Sequence, residues 1–163
     1  MIDYFINLYF NNVESFNIYT MKHLKPIFEF VKSYPFEEAG KIEGTYYYFF
    51  SDGQNNFRVE IDRKPEGEVE VVYRVKEGDE WTFKLVQTNI FSLLKTIFSR
   101  IIPDFISKNS WCQMITIKGL GKGTESEAIT QRTKVYYRYL QNNPIEGWEL
   151  DRYGNEIYLD KII

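Results

Sequence analysis

The residues that could carry chemistry are few and scattered along the chain. Lys118-Gly119-Leu120-Gly121-Lys122-Gly123 follows a strand-like run and precedes a helix-like one. Backbone N–H groups of glycines at a helix N-terminus can cradle a phosphate, so Gly119, Gly121 and Gly123 form a weak phosphate-loop candidate. The spacing lacks the G-x-x-x-x-G-K-[ST] pattern, and counted from Gly119 a G-x-G-x-x-G motif has Thr124 where its third glycine belongs. Glu125 and Glu127 would stand in the first helical turn, where they serve the helix dipole and repel a polyphosphate. An ordinary flexible loop is the favoured reading.

Nucleophiles and metal ligands are scarce. The chain holds one His and one Cys, which excludes a Cys/His zinc site with its usual four ligands and a disulfide framework. His23 lies between Lys22 and Lys25 with no evident carboxylate to hold its tautomer. It reads as an ordinary helix residue, and Cys112 reads as a core thiol. Glu37-Glu38 and Asp79-Glu80 fall in loops, where solvated charge is the default. Glu149, Asp151, Glu156 and Asp160 alternate with apolar residues, as on the wet side of an edge hairpin. Arg132, Lys134 and Arg138 interleave with Tyr136, Tyr137 and Tyr139, a mixture that can stack on and neutralise a single nucleic-acid strand. The same helix can instead bury Ile129, Tyr136 and Leu140 and leave its basic groups wet, which is favoured in the absence of an RNP-type motif. No catalytic set, no metal set and no cofactor follows from these residues.

The elements that must position them are clearer. Apolar residues from Val13 to Lys32 recur at helical spacing and are interrupted by Pro26, and Ser33–Gly44 reads as a loop. Four strands are expected at Thr45–Ser51, Asn56–Arg63, Glu68–Lys76 and Glu80–Gln87, separated by turn-forming segments. Alternation gives three of them one apolar face and one polar face. The first strand differs: Tyr46, Tyr48 and Phe50 share one face, and Tyr47 and Phe49 share the other. Either the chain's own helices cover the second face, the favoured reading, or it meets a partner. Asn89 can cap a long helix, Ile90–Lys108, which Pro103 is expected to kink. A strand at Trp111–Lys118, a helix at about 125–142 and a hairpin of Trp148–Arg152 with Glu156–Lys161 complete the order.

Length and charge bound the rest. The chain has 163 residues, 13 Tyr, 13 Phe and 3 Trp, with 20 Lys+Arg against 23 Asp+Glu. That is one domain's length, and the balance argues against nucleic acid as a partner. The opening residues carry Asp3 and no basic cluster, unlike a secretory signal. The most apolar stretch, Ile90–Ile102, contains Lys95 and Arg100 and is too short to span a bilayer.

From residue 44 onward the element order resembles the GNAT-type acyltransferase fold. In that family a Q/R-x-x-G-x-G/A motif after the fourth strand holds the coenzyme A pyrophosphate on backbone N–H groups. The alignment that keeps the fold places Gln87 first and puts Ile90 and Ser92 where both glycines belong. Side chains there obstruct the backbone approach. Lys118–Gly123 matches K-x-x-G-x-G, but only one helix and one hairpin follow it. The first alignment therefore implies a GNAT-like shape without a coenzyme site. The C-terminal half also resembles small uncharacterised proteins of tailed phages, through Arg132 four residues before Tyr136, Gly147-Trp148-Glu149-Leu150 and Leu159-Asp160-Lys161.

The expected architecture is a single α+β domain, 1–163, with a mostly antiparallel central sheet flanked by helices. Its GNAT-like order is (β)-α-ββββ-α-β-α-ββ, with an N-terminal helical region (1–43), a β-meander (44–87) and an α-β-α-ββ unit (88–163). The expected function is non-catalytic protein–protein interaction by a phage-encoded protein, as a virion or neck component or an inhibitor of a host factor. It would work in the host cytoplasm or within a virion, partnered by itself or by other phage proteins, with no membrane. The interaction candidates are Tyr46, Tyr47, Tyr48, Phe49 and Phe50 on the strand and Arg132, Tyr136, Tyr137 and Tyr139 on the helix. One alternative is a coenzyme A-dependent acyltransferase using the glycine loop, with Tyr136 or Tyr139 as general acid. Another is single-stranded nucleic-acid binding.

Overall fold

The computed structural model describes residues 31–83, 86–118 and 131–163. The strand and helices expected before residue 31, His23, the glycine loop with Gly119, Gly121 and Gly123, and the first turn of the second helix lie outside the described residues. Eight strands form one mixed sheet: β1 (Phe36–Ile42), β2 (Thr45–Ser51), β3 (Asn56–Arg63), β4 (Glu68–Glu77), β5 (Glu80–Thr82), β6 (Met114–Lys118), β7 (Trp148–Tyr153) and β8 (Glu156–Lys161). The order across the sheet is β1-β2-β3-β4-β6-β8-β7, with β5 paired to β4 off that path. Every pairing is antiparallel except β4–β6, which is parallel.

Among the described residues two helical segments accompany the sheet. A single long helix is built from α1 (Ile90–Thr96), a π-helical stretch (Ile97–Ile101) and α2 (Ile102–Lys108), and α3 spans Gln131–Asn142. The expected GNAT-like architecture is corrected: among the described residues one broad mixed sheet of eight strands dominates, its pairings antiparallel but for β4–β6, with one long helix and one shorter. Local sequence explains part of the difference. The Ser33–Gly44 loop contains β1, because Phe-Glu-Glu-Ala-Gly-Lys-Ile is an exposed edge strand with no alternating apolar face to betray it. The fourth expected strand ends at Thr82 rather than Gln87, and β6 begins at Met114 rather than Trp111.

Turn chemistry sets the register of the meander. Glu43 and Gly44 both have positive φ, 50° and 94°, as a two-residue primed hairpin between Ile42 and Thr45 requires. Asp52 accepts hydrogen bonds from the backbone N–H groups of Gln54 and Asn55, at 2.8 and 2.6 Å, and closes the β2–β3 turn. Gly67 ends the β3–β4 connection at φ 81°. A Cβ there would lie 3.0 Å from the carbonyl oxygen of Trp111, so the position also needs glycine for space.

The long helix packs on one face of the sheet, hereafter the inner face. Asn89 caps it by accepting from the N–H groups of Phe91 and Ser92. Its buried Leu93, Leu94, Ile97, Phe98, Ile101, Ile102 and Phe105 meet Tyr48, Phe57, Val59, Ile61, Val71, Ile115, Ile117, Ile157 and Leu159 from five strands. Pro103 sits just after the π-helical stretch. A proline at this position cannot donate to the Ser99 carbonyl, and the wider π turn is where the ladder absorbs that loss.

Candidate protein interface

The interaction candidates divide once the strands are paired. Tyr48 and Phe50 point inward and are buried. Tyr48 stands 3.5 Å from Asp104, and burial pushes its phenol far above the ordinary value. Tyr46 also faces inward, edge-on to Phe105 at 5.1 Å. Tyr136 and Tyr139 of α3 are core residues packed on Phe98, at 5.4 and 6.1 Å between ring centroids. Their hydroxyls bond Tyr73 and Ser99, at 2.9 and 2.8 Å. Burial drives the Tyr136 phenol well above its usual range, which makes it a poor general acid at neutral pH. Tyr137 lies beneath the Arg152 guanidinium, and Arg132 donates to the carbonyl oxygen of Phe83. The α3 residues thus form no row of open rings for a nucleic-acid strand. Cys112 is buried and its thiol is pushed up to about 11, far from an activated nucleophile.

Tyr47 and Phe49 point to the opposite, outer face and are half-buried. The pairing register places Phe49 opposite Arg58, and Arg58 opposite Arg74. Two arginines directly across a ladder repel each other. Glu60, two residues beyond Arg58 and on the same face, resolves this. Arg58 donates to one Glu60 oxygen through Nε at 2.8 Å and Nη2 at 2.5 Å. Arg74 Nε lies 2.9 Å from that oxygen, close enough for an ion pair but without the alignment of a hydrogen bond. Aromatic rings also contact the guanidinium groups. Arg58 lies 4.8 Å from the Trp81 ring centroid and 5.4 Å from that of Tyr47, and Arg74 lies 4.0 Å from that of Phe83. Phe49 and Trp81 meet at 5.5 Å.

The result is a plate of rings and arginines at one corner of the outer face. A hollow of about 540 Å³ adjoins it, with Phe36, Phe49, Trp81 and Lys76 on its walls. Phe83, 37% exposed, is among the few large apolar residues left open to solvent. The sequence showed that the second face of β2 was aromatic. It did not show that Arg58, Arg74 and Trp81 from three other strands would cover those rings sideways.

The diagonally opposite corner is acidic. Glu68 and Glu70 of β4, Glu156 and Asp160 of β8, and Glu149 and Asp151 of β7 share the outer face there. Lys118 is set among them, 2.8 Å from Glu70 and 3.7 Å from Glu156, and its ammonium is held above the ordinary lysine range by the Glu70 hydrogen bond. Tyr158 donates to Glu156, which pushes its phenol up to about 12. Glu149 stands directly across the ladder from Asp160, and no described residue forms an ion pair with Glu149, Asp151 or Asp160. Among the described residues no group of three or more His, Cys, Asp or Glu could hold a metal ion. No described helix is long and apolar enough to cross a membrane. The chain matches no protein-family model, no curated protein and no solved structure.

Proposed function

We propose that this protein works by binding another protein through the outer face of its sheet, without a catalytic step of its own. One observation carries the reading: the arginine–aromatic plate of Tyr47, Phe49, Arg58, Arg74, Trp81 and Phe83, fixed by Glu60 and open beside a hollow. Arginine and large aromatics are the residues most enriched at interface centres and energetic hot spots. Here they are held in place before any partner arrives, which lowers the ordering cost of binding. As the setting we propose virion assembly or inhibition of a host factor, which the resemblance of the C-terminal half to tailed-phage proteins implies.

A photoreactive phenylalanine placed at position 47 tests this in the cells that make the protein. Cross-linking is expected to give one dominant adduct, identified by mass spectrometry and lost when Trp81→Ala and Arg74→Glu are combined. Circular dichroism of that double variant should still report a folded sheet. Adducts spread over many proteins, or unchanged by the double substitution, would overturn the reading.

A further inference from the structure

We infer that the outer face is built to meet the outer face of a second copy of this chain. The inference rests on the interaction reading above and names its partner. Its basis is that the two corners of one face are complementary. The aromatic corner carries Arg58, Arg74 and the exposed Lys76 against Glu60 and Glu37, the latter across the ladder from Phe49, and so keeps a net positive charge. The acidic corner carries Glu149, Asp151 and Asp160 with no countercharge from described residues. Like charges set opposite each other, as Glu149 and Asp160 are, destabilise a sheet. An edge hairpin that keeps such a pair gains from a cationic surface brought against it.

The register fixes how two copies would meet. Glu70 lies in line with Thr116, Tyr158 and Asp151 across the sheet, whereas Arg74 lies in line with Arg58 and Phe49. The four-residue step along β4 from Glu70 to Arg74 is about 13 Å, so the corners are offset along the strands as well as across them. A two-fold axis in the plane between two stacked faces, diagonal to the strands, lays each aromatic corner on the other copy's acidic corner. The strands of the two copies then cross near a right angle, one of the two common ways in which sheets stack. The overlap of two such faces is on the order of 500 Å² per copy, the low end for a specific interface, and gives a reversible dimer. Both contacts are identical, as a closed two-fold assembly requires.

Charge reversal on the full-length chain tests this. One variant reverses the acidic corner with Glu149→Lys and Asp151→Lys; another reverses the basic corner with Arg74→Glu and Lys76→Glu. Lys76→Glu alone is the milder version, since Lys76 is exposed and leaves the plate intact. Sedimentation analysis of the wild type at about 100 μM should show a dimer whose dissociation constant rises roughly tenfold or more between low and high salt. Each variant alone should be monomeric, and an equimolar mixture should recover a heterodimer, because both contacts are then again between opposite charges. A monomeric wild type, or a dimer indifferent to both reversals, overturns the inference. The position-47 cross-link separates the two failures. A single foreign protein as adduct keeps the interaction reading and removes the second copy as occupant, whereas scattered adducts remove both.

Discussion

Tyr48 and Phe49 are neighbours on β2 and both aromatic, yet they do different work. Tyr48 is fully buried under the long helix, among apolar side chains from distant parts of the chain. Phe49 lies on the other face, against Trp81 and opposite Arg58, held by lateral neighbours in the sheet. The inner face is stabilised by removing apolar surface from water. The outer face is stabilised by cation–ring contacts and one shared carboxylate, each worth less but together giving a fixed, half-open surface. Two faces of one strand can therefore both be aromatic for unrelated reasons.

The largest expected effect tests that difference directly. Tyr48→Ala should destabilise the fold by about 3–5 kcal/mol, the range for emptying a core aromatic site. Phe49→Ala should cost about 1 kcal/mol, since only part of its surface is lost from water. Urea denaturation of both variants measures the gap. Equal losses would mean that the outer plate is a second core.

A smaller effect probes how the arginines are held. Glu60→Gln leaves Arg58 and Arg74 opposed without their shared carboxylate and should cost about 1–2 kcal/mol at low salt, less as salt rises. If stability is unchanged, the rings alone hold the guanidinium groups. The smallest effect concerns pH. The hydrogen bond from Lys64, helped by that from Thr45, holds the Asp62 carboxyl below its reference value of 3.8. Its contribution is full above pH 3.8 and is lost as the pH falls through the lower folded value. Asp62→Asn should therefore cost a few tenths of a kcal/mol at pH 7, given how exposed the pair is. That gap should close as the pH falls below 3.8 and through the lowered folded value. The inner-face Tyr48, whose phenol is pushed far upward, should show no such acid dependence.

Sequence pattern and structure agree where a strand or helix has one wet side. β3 and β4, the β7–β8 hairpin and the Asn89-capped helix all follow the alternation or helical spacing of their residues. β1 was hidden because an exposed edge has no buried face to write into its sequence. The end of β5 was hidden because β4 offers the same edge to β6 at Glu68–Val71 and to β5 at Val75–Glu77, a competition that local periodicity does not encode. Helical spacing favours burial of Tyr136 with Leu140, and both are buried; the burial of Tyr139 was hidden because α3 mixes it with cations, whereas Phe98 lies across from it in space. The aromatic second face of β2 was legible from alternation alone. Its arginine partners were not, because they are neighbours only through the β2–β3–β4 register.

The shared edge of β4 also bears on the order in which the molecule forms. Strands β1 to β5 pair through short turns, and β7 with β8 through another. The parallel pairing of Glu68 with Met114 closes a loop of roughly 45 residues and is the slow, entropically costly step. Before that step a chain carries the arginine corner on one piece and most of the acidic corner on another. Only after β4 and β6 join does a single rigid surface display both, so association through that surface would report a finished fold and pass over a half-made one.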